Sequence, residues 1–249
     1  MKVNNKYIET LLSFLNNNKD HFFLIGGHAA AMHFEKAGLE FRATKDFDIV
    51  LVTKVDDSDF SKQIAQFLVE GGYENKYRNE KKTAYRFENP KSPDYPKVIE
   101  FFVEEGKFPQ SLDKRLAKLN IEVNEEKISA IVLDSEIFEF AQRHIMYDYD
   151  LPIVDIKGLI VLKAFAFFKN RDLYKQGLVT GDDYLKHRRD VFRLLTILDN
   201  DDAIDDLPEL LAKALSAFLP LLKETKDLAK DYHASVDSVV NRFIKIAKL

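Results

Sequence analysis

Asp46 and Asp48 lie two residues apart in Lys45-Asp46-Phe47-Asp48-Ile49-Val50-Leu51-Val52, a stretch whose tail has the composition of a β-strand. Residues at i and i+2 on a strand project from one face, so both carboxylates would point at a single site while Phe47 and Ile49 pack behind them. Like charges held that close repel each other unless a cation lies between them. Oxygen-only donors suit a hard ion such as Mg²⁺, which takes one or two carboxylates together with substrate phosphates. A solvated Asp-x-Asp on a strand edge is the plain alternative.

The elements needed to build such a site lie just upstream. Phe22 to Ile25 is a short apolar run ending at Gly26-Gly27, as expected of a buried strand meeting a tight turn. His28 to Ala37 then has helical rather than alternating spacing, with Ala29, Met32 and Phe34 as its apolar positions. A helix starting after two glycines presents backbone N–H groups and a positive dipole end, the chemistry of a phosphate cradle. Glycine also lets backbone approach a ligand closely.

Two further charges stand in apolar surroundings. Glu100 lies in Lys97–Glu104 (KVIEFFVE), sharing a face with Val98 and Phe102 if this is a strand. A lone acid there is costly to bury without a partner or metal; an exposed edge strand is the alternative. Lys163 is the one charge in a run otherwise apolar from Leu159 to Phe168, so it must snorkel, find a counter-ion or face a cleft.

Composition bounds the rest. The 249 residues suffice for one large or two modest domains, and 46% hydrophobic with 31% charged residues is ordinary for a globular protein. The absence of Cys excludes disulfides, thiolate metal sites and cysteine nucleophiles. The polar N-terminus is unlike a signal peptide, and no apolar run approaches membrane-span length, so a cytoplasmic protein without membrane association is expected. A net charge of −4 argues against a surface coated with nucleic acid. Between Lys169 and Arg193, however, lie Lys169, Arg171, Lys175, Lys186, Arg188, Arg189 and Arg193, a basic cluster that reads either as a phosphate-binding patch or as a solvated helix face.

Along the chain, periodicity predicts helices over Asn5–Asn17 and Asp59–Val69, the latter stopped by Gly71-Gly72. Strands are expected over Tyr73–Arg78, Thr83–Phe87, Lys97–Glu104, Ile121–Val123 and Ile128–Leu133, with polar turns at residues 55–59 and 78–82 and a Pro-rich loop from Pro90 to Pro96. After a short helix at Ser135–Ala141 the pattern becomes strongly helical: Ile156–Phe168, Tyr184–Leu198, Leu207–Phe218 and Leu221–Ala247. The expected organisation is an α/β (α+β) domain with a mixed sheet over residues 1–150. A C-terminal helical bundle over 151–249 is expected to pack on the active-site cleft.

Gly26-Gly27 followed by Asp46-Phe47-Asp48 resembles the signature of the DNA polymerase β-like nucleotidyltransferase superfamily. Arg42-Ala43-Thr44-Lys45-Asp46-Phe47-Asp48 is similar, more narrowly, to the AbiEii-type branch, many of whose members are toxins of toxin–antitoxin pairs. His28 departs from the pattern, where Ser or Thr is frequent. The resemblance implies a third carboxylate on a neighbouring strand, which Glu100 fits, with Glu104 in reserve. It implies that Asp46, Asp48 and Glu100 hold Mg²⁺, two ions when an NTP is bound, and that Gly26 and Gly27 cradle the triphosphate. Arg42, Thr44 and Lys45 belong to the same nucleotide-binding stretch. Leu151 to Phe165 resembles the family's linker and first helix, with Lys163 at its catalytic lysine position, and Arg171 falls where the family has a basic residue. Arg189-Asp190-Val191-Phe192-Arg193 resembles the motif that follows, with Arg193 replacing an Asp.

The expected activity is Mg²⁺-dependent transfer of an NMP from an NTP to an RNA (a tRNA end) or protein hydroxyl, with a possible antitoxin as partner. Arg171, Lys186, Arg188, Arg189 and Asp190 are the candidate acceptor contacts. A non-catalytic regulator retaining the fold, or a small-molecule adenylyltransferase of the antibiotic-modifying kind, are the alternatives.

Overall fold

The computed structural model describes residues 5–52, 58–77, 84–110, 115–124, 126–148, 151–199, 201–225 and 234–249. The chain divides into two compact units, one formed by Met1–Phe138 with Ile145–Val154, the other by Glu139–His144 with Asp155–Leu249.

The first unit is built on a mixed sheet. Helix α1 (Asn5–Leu15) runs into a 3₁₀ turn (Asn16–His21) and then β1 (Phe22–Ile25). Next come α2 (Gly26–Lys36), β2 (Asp46–Leu51), α3 (Ser58–Gly71), β3 (Glu74–Tyr77), β4 (Ala84–Glu88) and β5 (Val98–Glu104). The unit continues with β6 (Leu116–Val123), β7 (Glu126–Leu133), α4 (Ser135–Arg143), β8 (Ile145–Asp148) and β9 (Leu151–Val154), α4 dividing between the units after Phe138. The strand order is β3-β4-β5-β2-β1-β9-β8, and β7 pairs with both β5 and β6.

Burial follows the pleat. On β2, Phe47 and Ile49 are buried while Asp46 and Asp48 are half-buried, the alternation expected of a strand with one apolar face. On β5, Ile99, Phe101 and Val103 take the core side, and Phe101 meets Phe87 of β4 edge to face. Phe22, Phe23, Phe47, Phe67, Phe87 and Phe101 are all fully buried, so the phenylalanine-rich composition is core material.

The second unit's main described elements are helices: α5 (Ile156–Lys175), α6 (Gly181–Thr196), α7 (Glu209–Lys223) and α8 (Val236–Ala247). Asp155 caps α5 by accepting from the Gly158 N–H at 2.7 Å. Thr180 and Asp183 form a reciprocal capping box at the start of α6. Phe167, Phe218 and Phe243 join α5, α7 and α8 through ring contacts of 5.4 and 6.0 Å. Among the described residues no helix is long and apolar enough to cross a membrane.

Several boundaries differ from those expected. Leu151–Val154, which the resemblance makes a linker, is a strand between β1 and β8, with Ile153 opposite Leu24, although Pro152 cannot donate to a ladder. Strand β6 begins at Leu116 rather than Ile121, and α5 runs on to Lys175. The helix expected over Leu221–Ala247 is not continuous: α7 ends at Lys223, α8 begins at Val236, and residues 226–233 lie outside the described residues. So do most of the expected turn at 55–59 and all of the one at 78–82.

Candidate active site

Strand register gathers the acids. Strands β2 and β5 are parallel, with Asp46 opposite Val98 and Asp48 opposite Glu100. Paired residues share a face, so Glu100 stands beside Asp48 on the face that also carries Asp46. Antiparallel β1 ends with Ile25 opposite Asp48, so the Gly26 turn lands against that carboxylate. Gly26 has φ +75°, and a Cβ there would overlap the Asp48 carboxylate; a Cβ on Gly27 would overlap the Thr44 hydroxyl. Both glycines are therefore demanded by close approach, and Gly26 also by its left-handed backbone. Helix α2 starts at Gly26 itself, and Ile25 supplies no side-chain cap to it.

The other neighbour of β5 brings a residue that the sequence reading overlooked. Antiparallel β4 sets Arg86 opposite Glu100 and Glu88 opposite Val98. The Arg86 guanidinium forks between the acids. It donates from Nη1 to Glu100 Oε1 at 2.6 Å, from Nη2 to Asp46 Oδ1 at 2.9 Å and from Nε to Glu88 Oε1 at 2.5 Å. Its side chain is 26% exposed, against 30% for Asp46, 16% for Glu100 and 11% for Glu88. Burial alone would pull the Arg86 pKa down, but Glu100, Glu88 and Asp46 outweigh it and hold the group above its ordinary value. Asp46, Asp48, Glu88 and Glu100 thus gather four carboxylates on this part of the face, and Arg86 contacts three of them. Glu104, the reserve acid, lies at the far end of β5 beside Lys107 at 3.7 Å.

The donor chemistry is of the kind hard cations take: oxygen only, on a half-buried face, with the Gly26 backbone pressed against one carboxylate. Among the described residues no group of three carboxylates or imidazoles converges closely enough to hold a metal ion, and Arg86 stands between Asp46 and Glu100.

His28 does not stand in for a phosphate-binding hydroxyl. It is buried, its ring 4.5 Å from that of Phe47, with Nδ1 2.8 Å from the Asp46 carbonyl oxygen. Burial lowers its pKa, so the neutral ring donates its Nδ1 proton and ties α2 to the start of β2. Arg42 lies over the Phe41 ring at 5.4 Å and donates to the Ala43 carbonyl at 3.3 Å. Thr44 is half-buried against Gly27, while Lys45 is exposed.

The remaining predicted residues belong to the second unit. Lys163 on α5 is buried, and its ammonium donates to Asp190 Oδ2 of α6 at 2.7 Å; the two side chains are 5% and 0% exposed. Asp190 thus supplies a counter-charge to Lys163 and is itself fully buried. Arg171 lies over the Phe168 ring at 4.8 Å. Lys186 faces Asp183 and Arg189 faces Asp182, both at 3.8 Å, so part of the basic cluster is locally offset. Arg188 is half-buried, and Arg193 is buried.

Arg86 was legible in principle. It sits between Tyr85 and Phe87 two residues from Glu88, the same alternation that singled out Glu100. What sequence alone could not supply was the register that places it opposite Glu100.

A search of curated proteins found no match. Among solved structures, the chain is similar to JHP933 from Helicobacter pylori at 11% identity, over 98% of this chain and 88% of that one, with a TM-score of 0.41. It is also similar to a "putative nucleotidyltransferase from H. pylori" at 12% identity, over 98% and 92%, with a TM-score of 0.41. A family model described as nucleotidyl transferase AbiEii toxin, type IV toxin–antitoxin system, matches residues 11–240, nearly the whole chain. The chain belongs to the AbiEii nucleotidyl transferase toxin family.

Proposed function

We propose that this nucleotidyltransferase moves a nucleoside monophosphate from a nucleoside triphosphate to a hydroxyl of an RNA or protein acceptor with the help of Mg²⁺, and that it is the toxin of a toxin–antitoxin pair. The observation that carries the proposal is the register of β2, β5 and β1, which sets Asp46, Asp48 and Glu100 on one face against the Gly26 turn. Asp46 and Asp48, with Glu100, are the donors that would hold the cation. A bound Mg²⁺ would polarise the phosphates and offset the charge developing on them.

The chain's own groups do the rest. The Gly26-Gly27 backbone at the start of α2 receives phosphate oxygens, favoured by the positive end of the helix. Thr44, beside Gly27, and the exposed Lys45 orient and neutralise the triphosphate. Glu100 takes the proton of the acceptor hydroxyl as its oxygen bonds to the α-phosphorus and the bond to the departing pyrophosphate breaks. We assign Lys163 and Asp190 to fastening α5 to α6, because an ammonium already matched by a buried carboxylate has little charge left for phosphate. Arg171, Lys186, Arg188 and Arg189 remain the acceptor contacts, the feature favouring RNA.

The experiment is an acceptor screen with each of the four α-labelled NTPs, Mg²⁺, and separate RNA, protein and small-molecule fractions of a cell extract. Label in the RNA or protein fraction, absent with chelator, is expected. Label confined to small molecules would move the protein to the adenylyltransferase reading; label nowhere, with any NTP, would overturn enzymatic transfer.

A further inference from the structure

Arg86 occupies a place that metal chemistry would give to a divalent ion. It bridges one carboxylate of the Asp-x-Asp strand and the acid of the neighbouring strand, at 2.9 and 2.6 Å, and is itself held by Glu88. A guanidinium suits such bridging: it is always charged and planar, and its donors diverge as a fixed fork. Charge-assisted bonds of these lengths are among the stronger hydrogen bonds in a protein. Carboxylates pressed together without a cation repel, and Arg86 relieves that repulsion from inside the fold.

The same acids cannot serve two cations independently. Asp46 Oδ1 and Glu100 Oε1, engaged by Arg86, are oxygens a divalent ion would need, and the ion brings two charges where the guanidinium brings one. Glu88 lies two residues along β4 from Arg86 and contacts its Nε, so the side chain keeps an anchor when its terminal nitrogens let go. With its side chain 26% exposed, Arg86 also reaches solvent.

We propose that Arg86 is the built-in counter-cation of this site: it holds Asp46 and Glu100 in place while no metal is bound, and divalent metal binds by displacing its fork from them. Arg86 is then a positioning residue that keeps the empty site assembled and sets the metal concentration at which it loads. The inference rests on the assignment of these acids to metal binding.

The test titrates Mn²⁺ alone into wild-type protein and Arg86→Met by calorimetry, with Asp48→Asn as the control that the heat arises at this site. Arg86→Met is expected to melt lower than wild type in chelator, yet to bind Mn²⁺ at least roughly tenfold more tightly, the size of a single charge-assisted bond's worth of competition. Arg86→Lys, whose one ammonium cannot fork between two acids, falls between them. A purely structural arginine would, on removal, weaken metal binding or leave it unchanged; either result overturns the displacement while leaving the transfer proposal standing. If neither wild type nor variant binds Mn²⁺, displacement and metal dependence fail together. Should Arg86→Met not fold, the wild type decides by NMR of ¹⁵N-labelled arginine side chains titrated with Mg²⁺. The Arg86 Nη signals must lose their protection from exchange as metal enters; signals that stay protected through saturation overturn the proposal.

Discussion

Two charge clusters in this molecule follow opposite rules. In the second unit, Lys163 and Asp190 meet at 2.7 Å, with side chains 5% and 0% exposed. In the first, Asp46, Glu88 and Glu100 all contact the Arg86 guanidinium and stay 30%, 11% and 16% exposed, with Asp48 beside them. A dry ion pair is turned inward, and losing either half leaves a buried charge. A half-buried cluster of several carboxylates gains by admitting a cation. The first kind of site fastens helices; the second is where chemistry is expected.

That contrast breaks most visibly at Lys163. Lys163→Met takes the ammonium away from the buried Asp190 carboxylate and is expected to cost about 3–5 kcal/mol of stability, read as a lower midpoint in urea at unchanged slope. Lys163→Met combined with Asp190→Leu removes both charges and should recover most of the loss. A double variant no more stable than the single one would mean that the pair does more than neutralise itself.

Next in size is Gly26→Ala. A side chain forced into left-handed backbone costs roughly 1–2 kcal/mol, and the added Cβ must also push the Asp48 carboxylate aside. Stability should fall by at least that amount, and the melting-temperature gain from NTP with Mg²⁺ should disappear. A variant still stabilised by NTP would detach the turn from phosphate binding.

His28 sharpens the contrast through pH. Burial keeps its pKa below the usual 6.5, so the unfolded chain takes up a proton first on acidification. Its contribution is therefore full above about pH 6.5 and is lost as pH falls from there through the lowered native value. Stability of the wild type should decline across that window more steeply than that of His28→Gln; equal slopes would show that His28 titrates alike in both states.

The smallest effect is expected on α6. Charge reversal at Lys186 and Arg189 should weaken RNA binding and flatten its salt dependence only modestly, because Asp182 and Asp183 already offset both residues. Unchanged RNA affinity would leave them as a solvated helix face.

Much of the first site could be read from the chain. Alternation alone put Asp46 and Asp48 on one face and singled out Glu100, because strand periodicity is local. Gly-Gly before a helical pattern likewise signalled a close backbone approach. The pairings were hidden, since register is a long-range property: nothing local says that Arg86 faces Glu100, or that Lys163 meets Asp190 across 27 residues of sequence. Pro152 carries a local signal against strand that pairing with β1 and β8 overrides. His28 looked like a departure from a phosphate-binding pattern, whereas its ring is spent on the Asp46 carbonyl inside the fold.

The most direct measurement pairs transfer rate with melting temperature for Asp48→Asn, on one preparation without metal for the melt and with Mg²⁺ and labelled NTP for transfer. Loss of transfer by roughly a thousandfold or more is predicted, since a metal-binding carboxylate supplies several kcal/mol of transition-state stabilisation. The metal-free melting temperature should hold or rise, as one repelling charge leaves the cluster. Transfer that persists at the wild-type rate in this variant would contradict the assignment of the acid cluster as the active site.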